Sequence, residues 1–275
     1  MDWFPMAIGR IWEYLTSKFI WRGICCFMDI GSSKSMHNRI SFNNDDKARL
    51  AWLTGNKFIV KTEKILLQNI KTEGIDNILE VGCGEGANIY NLYSGEKKFV
   101  GVDIDCGKLG VAAPLFKKST FVCADALNLP FRDNSFDLVF CRDVLHHVSD
   151  RKIMVDEMLR VCRLKGKIVV IEANGNNLFW NIFGTLLRTE RGVKKNTIPE
   201  FKRFFLSKYA GGLSEITINL FNTPMFLRLL THYKYGWENL GNNKCFLYVS
   251  NILDRFKSVS FKRYWPYIIV TAIKK

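Results

Sequence analysis

One stretch, Ile78 to Asn88 (ILEVGCGEGAN), restricts this chain more than any other. Ile78, Leu79 and Val81 make a continuous apolar run, as expected of a short strand buried on both faces of a parallel sheet. Gly82, Gly84 and Gly86 follow at every second position, and Ala87, Asn88, Ile89 and Leu92 begin a pattern compatible with a helix. Strand, glycine turn and helix bring backbone close to a bound ligand, and a helix start favours negative charge. Glu80 is the unusual member, because a charge within such a strand is costly unless partnered. The phosphates of a dinucleotide give no reason for an acid there, whereas a cationic ligand does. A carboxylate satisfied by backbone amides is the other reading.

A second acid follows at a telling place. Lys98 to Asp103 (KFVGVD) reads as the next strand, ending on Asp103, where doubly wound folds hold the ribose hydroxyls of a nucleoside. Thr120 to Phe131 (TFVCADALNLPF) contains a third strand that closes on Asp125. Phe136 to Arg142 (FDLVFCR) makes a fourth, followed by Asp143, Val144, Leu145, His146 and His147.

From about Ile70 to Asn174 these segments, in this order, resemble the class I S-adenosylmethionine-dependent methyltransferases, above all the type 11 branch that includes quinone-biosynthesis C-methyltransferases. The resemblance implies an α/β fold: a Rossmann-like sheet of seven strands with only the last antiparallel, flanked by helices. It implies S-adenosylmethionine as cofactor. Glu80, Gly82, Cys83, Gly84 and Gly86 would cradle its methionine part, and Asp103 would take the ribose hydroxyls with Ile104 against the adenine. Asp125 would face the adenine amino group beside Ala126, while Cys141 and Arg142 would close the pocket near the sulfonium. Arg163 to Lys167 (RLKGK) departs from the Pro-Gly-Gly that relatives carry before the fifth strand, which puts the turn geometry there in doubt.

The chain's 275 residues suit one large domain with additions: a lid or membrane-surface segment over 1–44 and a methyltransferase domain over 45–275. Within the latter, a cofactor core is expected over 70–174 and a basic, aromatic substrate-side cap over 175–262. The eight cysteines show no CxxC pair and no zinc spacing, so free thiols, no metal and a cytoplasmic location are expected. Net charge is +14, and its distribution matters more than its size. Up to Asp150 there are 18 Lys and Arg against 18 Asp and Glu; from Arg151 onward the counts are 22 and 8. A neutral front half therefore carries a basic back half, suited to phosphates on lipid headgroups, sugar-diphosphate carriers or RNA, or else simply a solvated face.

Phe4, Ile8, Ile11, Leu15 and Phe19 recur at helical spacing, interrupted by charges too often for a membrane span. Asp2 and Arg10 argue against a secretory signal. The helix over Met1 to Met28 is expected as a lid over the site, with a place at an anionic membrane surface as its second reading. Gly31 to Asn44 reads as a polar loop, and Asp45 to Asn69 as a helix. Past a fifth strand at Lys167 to Glu172, helices are expected over 177–188 and 199–210, and strands over 214–220 and 264–273. Phe221 to Lys262 reads as a helical insertion, forming a cap where the acceptor enters.

An oxygen or carbon acceptor wants a base, and His146 or His147, with Asp143 as a further candidate, stands where such sheets bind ligands. Both histidines packing the helix start is the alternative. A magnesium-assisted variant would use Asp143, Glu172 and Asn174, but Ala173 breaks the adjacent pair of ligands that catechol-type enzymes carry. The acceptor is expected to be a small or lipid-linked molecule. Three rival functions are an RNA methyltransferase using the basic half, against which the missing turn after strand four speaks, an NAD(P)-dependent oxidoreductase, which would need neither Glu80 nor Asp125, and a non-catalytic binding module on a decayed methyltransferase fold, against which every filled cofactor position speaks.

Overall fold

The computed structural model describes residues 35–92, 97–234, 236–255 and 259–275. The expected helix over Met1 to Met28 lies outside them. Seven strands are present: β1 (Asn77–Val81), β2 (Lys98–Asp103), β3 (Thr120–Cys123), β4 (Phe136–Arg142), β5 (Cys162–Ala173), β6 (Leu213–Phe221) and β7 (Tyr267–Lys274). They form one sheet in the order β3-β2-β1-β4-β5-β7-β6. Pairings along β3-β2-β1-β4-β5 are parallel, and β7 runs antiparallel to both β5 and β6. The expected seven-stranded topology is therefore present, with a single reversed strand.

Alternation along the strands sends side chains into two cores, one on each face. Leu79, Val81, Val139, Cys141, Ile168 and Val170 lie on one face, and Ile78, Leu138, Phe140, Val169 and Ile171 on the other. Short polar side chains start the helices that follow the strands. Asp105 caps α4 (Cys106–Leu115), Asp150 caps α5 (Arg151–Val161) and Asn177 caps α6 (Leu178–Leu186), each accepting two backbone N–H groups. The α3 helix (Ala87–Leu92) follows the glycine turn, and α7 (Ile198–Lys202) precedes β6.

The chain divides into two compact units, with boundaries at 59/60, 223/224 and 255/256. The smaller unit contains α1 (Ser35–Gly55), the first residues of α2 (Lys57–Leu67), α8 (Met225–Leu230) and α9 (Lys244–Arg255). Trp52 Nε1 donates to the Thr231 carbonyl (2.6 Å), and Phe58 meets Phe246 edge-on at 5.3 Å. Between β6 and β7 the described residues of the 221–262 insertion form helical segments, as expected. The expected loop over 31–44 is corrected, because Ser35 onward is helix. No Gly or Pro interrupts 35–54, and a helix nucleated by the apolar Leu50–Leu53 segment extends cheaply into weak formers. No helix among the described residues is long and apolar enough to cross a membrane.

Two further expectations change. The thiols of Cys106 and Cys123 are joined, not free. Parallel pairing of Asp103 with Cys123 brings that residue beside the start of α4, a proximity that linear spacing conceals. The doubted RLKGK turn is a bulge at the start of β5, where Lys165 takes φ +59° and pairing shifts between Phe136 and Leu138. A Cβ on Gly166 would stand 2.6 Å from Cys162 Sγ and 2.7 Å from the Arg163 carbonyl, so only glycine fits.

At the amino end of β4, buried Asp137 accepts from the N–H groups of Asp76 and Asn77 (both 3.0 Å) and pairs with Arg163 at 2.5 Å. Asp137→Ala would strand both amides. It should lower stability by about 3 kcal/mol and the melting temperature by about 6–12 °C, measured by circular dichroism. A melting temperature equal to wild type would rule out this anchoring role.

Candidate active site

The carboxyl ends of β1 and β4 lie side by side, pairing Glu80 with Phe140 and Val81 with Cys141. Past Val81 the chain turns through Gly82 (φ +76°), Gly84 (φ +52°) and Gly86 (φ +83°), conformations that side-chained residues rarely adopt. A Cβ on Gly82 would collide with Val144, and one on Gly86 would stand 2.8 Å from the Phe116 ring. Around Gly84 there is open space, with Lys108 Cδ the nearest atom at 3.9 Å. Bare backbone is therefore offered at that point.

Glu80 is wholly buried. Asn88 Nδ2 donates to its Oε1 (2.6 Å), while Oε2 has no hydrogen-bond partner. Burial raises its pKa to about 8, outweighing the Asn88 hydrogen bond and the nearby Arg142 charge. Asn88 in turn accepts from Arg142 Nη1 (2.9 Å), and the Arg142 guanidinium forms a buried ion pair with Glu63 of α2. Arg142 Nε lies 3.5 Å from Asp143 Oδ2. Asp143 has φ +53°, and its buried Oδ1 also lacks a partner. Burial raises Asp143 to about 6, with Glu172 adding to the rise and Arg142 opposing it.

On β2, both oxygens of Asp103 are oriented by backbone: Gly84 N–H donates to Oδ2 (2.8 Å) and Asp105 N–H to Oδ1 (2.9 Å). Ile104 beside it is 72% exposed, a large apolar side chain held in the open. Asp125 is exposed after β3 and accepts from Leu127 N–H (2.9 Å), with Ala126 half-buried next to it. These residues line the carboxyl edge together. Cys141 does not join them: it is fully buried in the core formed with Leu79 and Val81, where burial pushes its thiol far up. Cys83 is likewise buried, its thiol raised by burial and by Glu80.

The two histidines differ. His146 is buried, with Nδ1 2.5 Å from Glu172 Oε2 and Nε2 3.3 Å from Glu190 Oε2. Burial lowers its proton affinity, but the hydrogen bonds to Glu172 and Glu190 outweigh that and raise it to about 10. At neutral pH its ring is therefore a cation with no lone pair to offer. His147 is half-exposed, its Nδ1 3.1 Å from the Thr189 carbonyl, and burial and the His146 charge lower its proton affinity. Donor atoms of His146, His147 and Glu190 lie within 4.8 Å of one another, a closeness that the ion pairing of His146 accounts for. Glu172 has both oxygens engaged by Val144 N–H, Leu145 N–H, His146 and Asn196 Nδ2. Asn174 Nδ2 donates to the carbonyls of Arg263 and Trp265. Neither is presented as a magnesium ligand.

Glu63, Glu190 and Asn196 escaped sequence reasoning. Glu63, flanked by Lys61 and Lys64, reads in sequence like a surface acid of α2; Glu190 sits in the 3-10 segment Arg188–Lys195 and Asn196 just after it, with no pattern to mark them.

Strand order, the single reversed strand and the glycine turn after β1 define a class I methyltransferase fold. A methyltransferase domain of the type 11 family matches residues 79–170. An uncharacterized protein of Methanocaldococcus jannaschii is 35% identical over 226 residues, covering 80% of this chain and 88% of its own length. A demethylmenaquinone methyltransferase of Thermotoga maritima is 32% identical over 94 residues, 34% of this chain and 41% of that enzyme. Among solved structures, phosphoethanolamine N-methyltransferase 2 of Haemonchus contortus, in complex with S-adenosyl-L-methionine, superposes with TM-score 0.61 at 20% identity. That match covers 84% of this chain and 57% of the other. The chain belongs to the type 11 methyltransferase family and is an S-adenosylmethionine-dependent enzyme.

The His146 pairing gives stability a pH dependence of known sign. Its folded value of about 10 exceeds the usual 6.5, so the contribution is complete below pH 6.5 and lost as pH rises toward 10. The difference in unfolding free energy between wild type and His146→Gln should therefore shrink from pH 6 to 10 in urea titrations. A constant difference would mean that the ring is not held charged.

Proposed function

We propose that this chain transfers the methyl group of S-adenosylmethionine to an oxygen or carbon nucleophile of a small or lipid-linked acceptor. The observation that carries the reading is a pair of buried carboxylate oxygens without partners, on Glu80 and Asp143, beside a turn of bare glycine backbone. Arg142 is the cation beside them, and Glu63 already engages it. The cluster is thus short of positive charge, and a cationic ligand fits it.

The cofactor, when bound, supplies a methyl group made electrophilic by a positively charged sulfur. Glu80 and the backbone of Gly82, Cys83, Gly84 and Gly86 would hold its methionine part. Asp103, its carboxylate fixed by two amides, has lone pairs left for ribose hydroxyls. Ile104, Asp125 and Ala126 would receive the adenine. Arg142 keeps Asn88 and Glu63 in place and so sets the orientation of Glu80. His147 is the base: it is neutral near pH 7, and the Thr189 carbonyl faces Nδ1, which leaves the lone pair on Nε2. A neutral base suits the deprotonation of an oxygen or carbon acid, a step that an amine acceptor already carrying its lone pair does not need.

Two results follow. With Glu80 near 8 before binding and lower beside a cation, binding of S-adenosylmethionine at pH 7 should release protons. Calorimetry in buffers of different ionisation enthalpy should detect that release, and affinity should climb with pH up to about 8. Glu80→Gln should weaken binding and remove its pH dependence; pH-independent binding by wild type would separate Glu80 from the ligand's charge. Asp103→Ala should weaken S-adenosylhomocysteine binding about ten- to a hundredfold by the same method. Unchanged affinity there would refute the ribose assignment. Feeding methyl-labelled methionine to cells with and without the gene, followed by mass spectrometry, identifies the acceptor.

A further inference from the structure

The α6 helix wears its apolar residues on the outside. Leu178, Ile182 and Leu186, spaced by four, are 68%, 44% and 52% exposed and so share one helix face. Exposed Arg188, Arg191, Lys194 and Lys195 follow at once in the tight 3-10 segment Arg188–Lys195. Glu190, the one acid between Leu178 and Lys195, is turned inward to His146. Asn177, which caps α6, also donates from Nδ2 to the Tyr264 carbonyl (2.7 Å), tying an exposed Tyr with Lys262 and Arg263 to the same end.

We propose that α6 and the segment after it form a docking surface for an anionic lipid bilayer. An aliphatic stripe flanked by Lys and Arg, with an interfacial Tyr beside it, matches the interior and headgroup layers of such a membrane. Single-stranded RNA is the poorer match, because the Leu and Ile stripe offers bases nothing to stack on and leaves Tyr264, among the described residues, as its one exposed aromatic neighbour. A second copy of this chain would bring the same cations face to face.

Close packing locks this surface to the catalytic edge. A Cβ on Gly184 would stand 3.1 Å from the Glu190 carbonyl, and one on Gly175 would stand 2.5 Å from that of Val193. A Cβ on Gly192 would collide with the His146 carbonyl. With no room for side chains at these contacts, a bilayer against α6 lies at a fixed offset from His146 and His147. The inference deepens the lipid-linked reading of the acceptor but is carried by the exposed stripe and its flanking cations, and its test is independent of methyl transfer.

The full chain, without cofactor, is sedimented with vesicles of phosphatidylcholine alone or mixed with phosphatidylglycerol. It should bind the anionic vesicles and not the neutral ones, and salt should release it. Ile182→Asp with Leu186→Asp should weaken binding about tenfold or more, as should Lys194→Gln with Lys195→Gln, while S-adenosylhomocysteine affinity stays at the wild-type value. Equal binding by wild type and both variants overturns the proposal, as does no binding to anionic vesicles. Sedimentation as a dimer that the Ile182 and Leu186 changes dissociate, or salt-sensitive binding of transfer RNA without vesicle binding, assigns the face elsewhere and also overturns it. If vesicles bind but methyl label appears only in water-soluble product, the docking surface stands and the lipid-linked acceptor falls.

Discussion

A single guanidinium organises the polar end of this sheet. Arg142 leaves β4 within reach of Glu63, Asn88 and Asp143, and through Asn88 it reaches Glu80. Taking four charged side chains out of water is unfavourable unless each is paired, and one cation does not neutralise three acids. The imbalance shows in the two acids least well served, since Glu80 is pushed to about 8 and Asp143 to about 6. These are destabilising features of the free protein. A cationic ligand, as in the proposed function, would complete the cluster and relieve that cost.

Glu172 does for the neighbouring loop what Arg142 does for the strand ends. Its carboxylate gathers two backbone amides, the His146 ring and the Asn196 side chain, and so fixes the turn that carries both histidines. The division of labour between them follows. His146 is saturated by carboxylates and serves as a charged strut, which leaves its neighbour as the ring with a lone pair. The adjacent histidines thus differ: two carboxylates hold His146 charged, while burial and the His146 charge lower the proton affinity of His147 although Glu190 lies 4.0 Å from its Nε2.

What was legible in the sequence was whatever depends on local pattern. The glycine turn, the acids closing β1, β2 and β3, and the strand order implied by the family resemblance all rest on residues close in the chain. Contacts made by chain crossings left no such trace. Glu63 lies 79 residues from the Arg142 it pairs with, and the Cys106–Cys123 bridge depends on β2–β3 register. Cys141 illustrates a different limit: one residue of strand period separates a core position from an edge position, and the pleat puts Cys141 in the core and Arg142 at the site. The helix over 35–44 was hidden because polar residues of weak propensity look alike in a loop and in an extension of an existing helix.

The charge asymmetry along the chain now has a physical location. Several acids of the balanced front half pair in the interior or orient backbone, among them Glu63, Asp103 and Asp137. The excess of cations begins at Arg151, and four of them stand exposed on one short segment beside an apolar helix face. Glu190 joins the two regimes, since it belongs to the basic segment by sequence and to the His146 pair by contact. Were Glu190 turned outward, it would cancel part of that surface and leave His146 with one carboxylate fewer. The ion pair therefore sharpens the outer charge and fixes the inner ring with the same atoms.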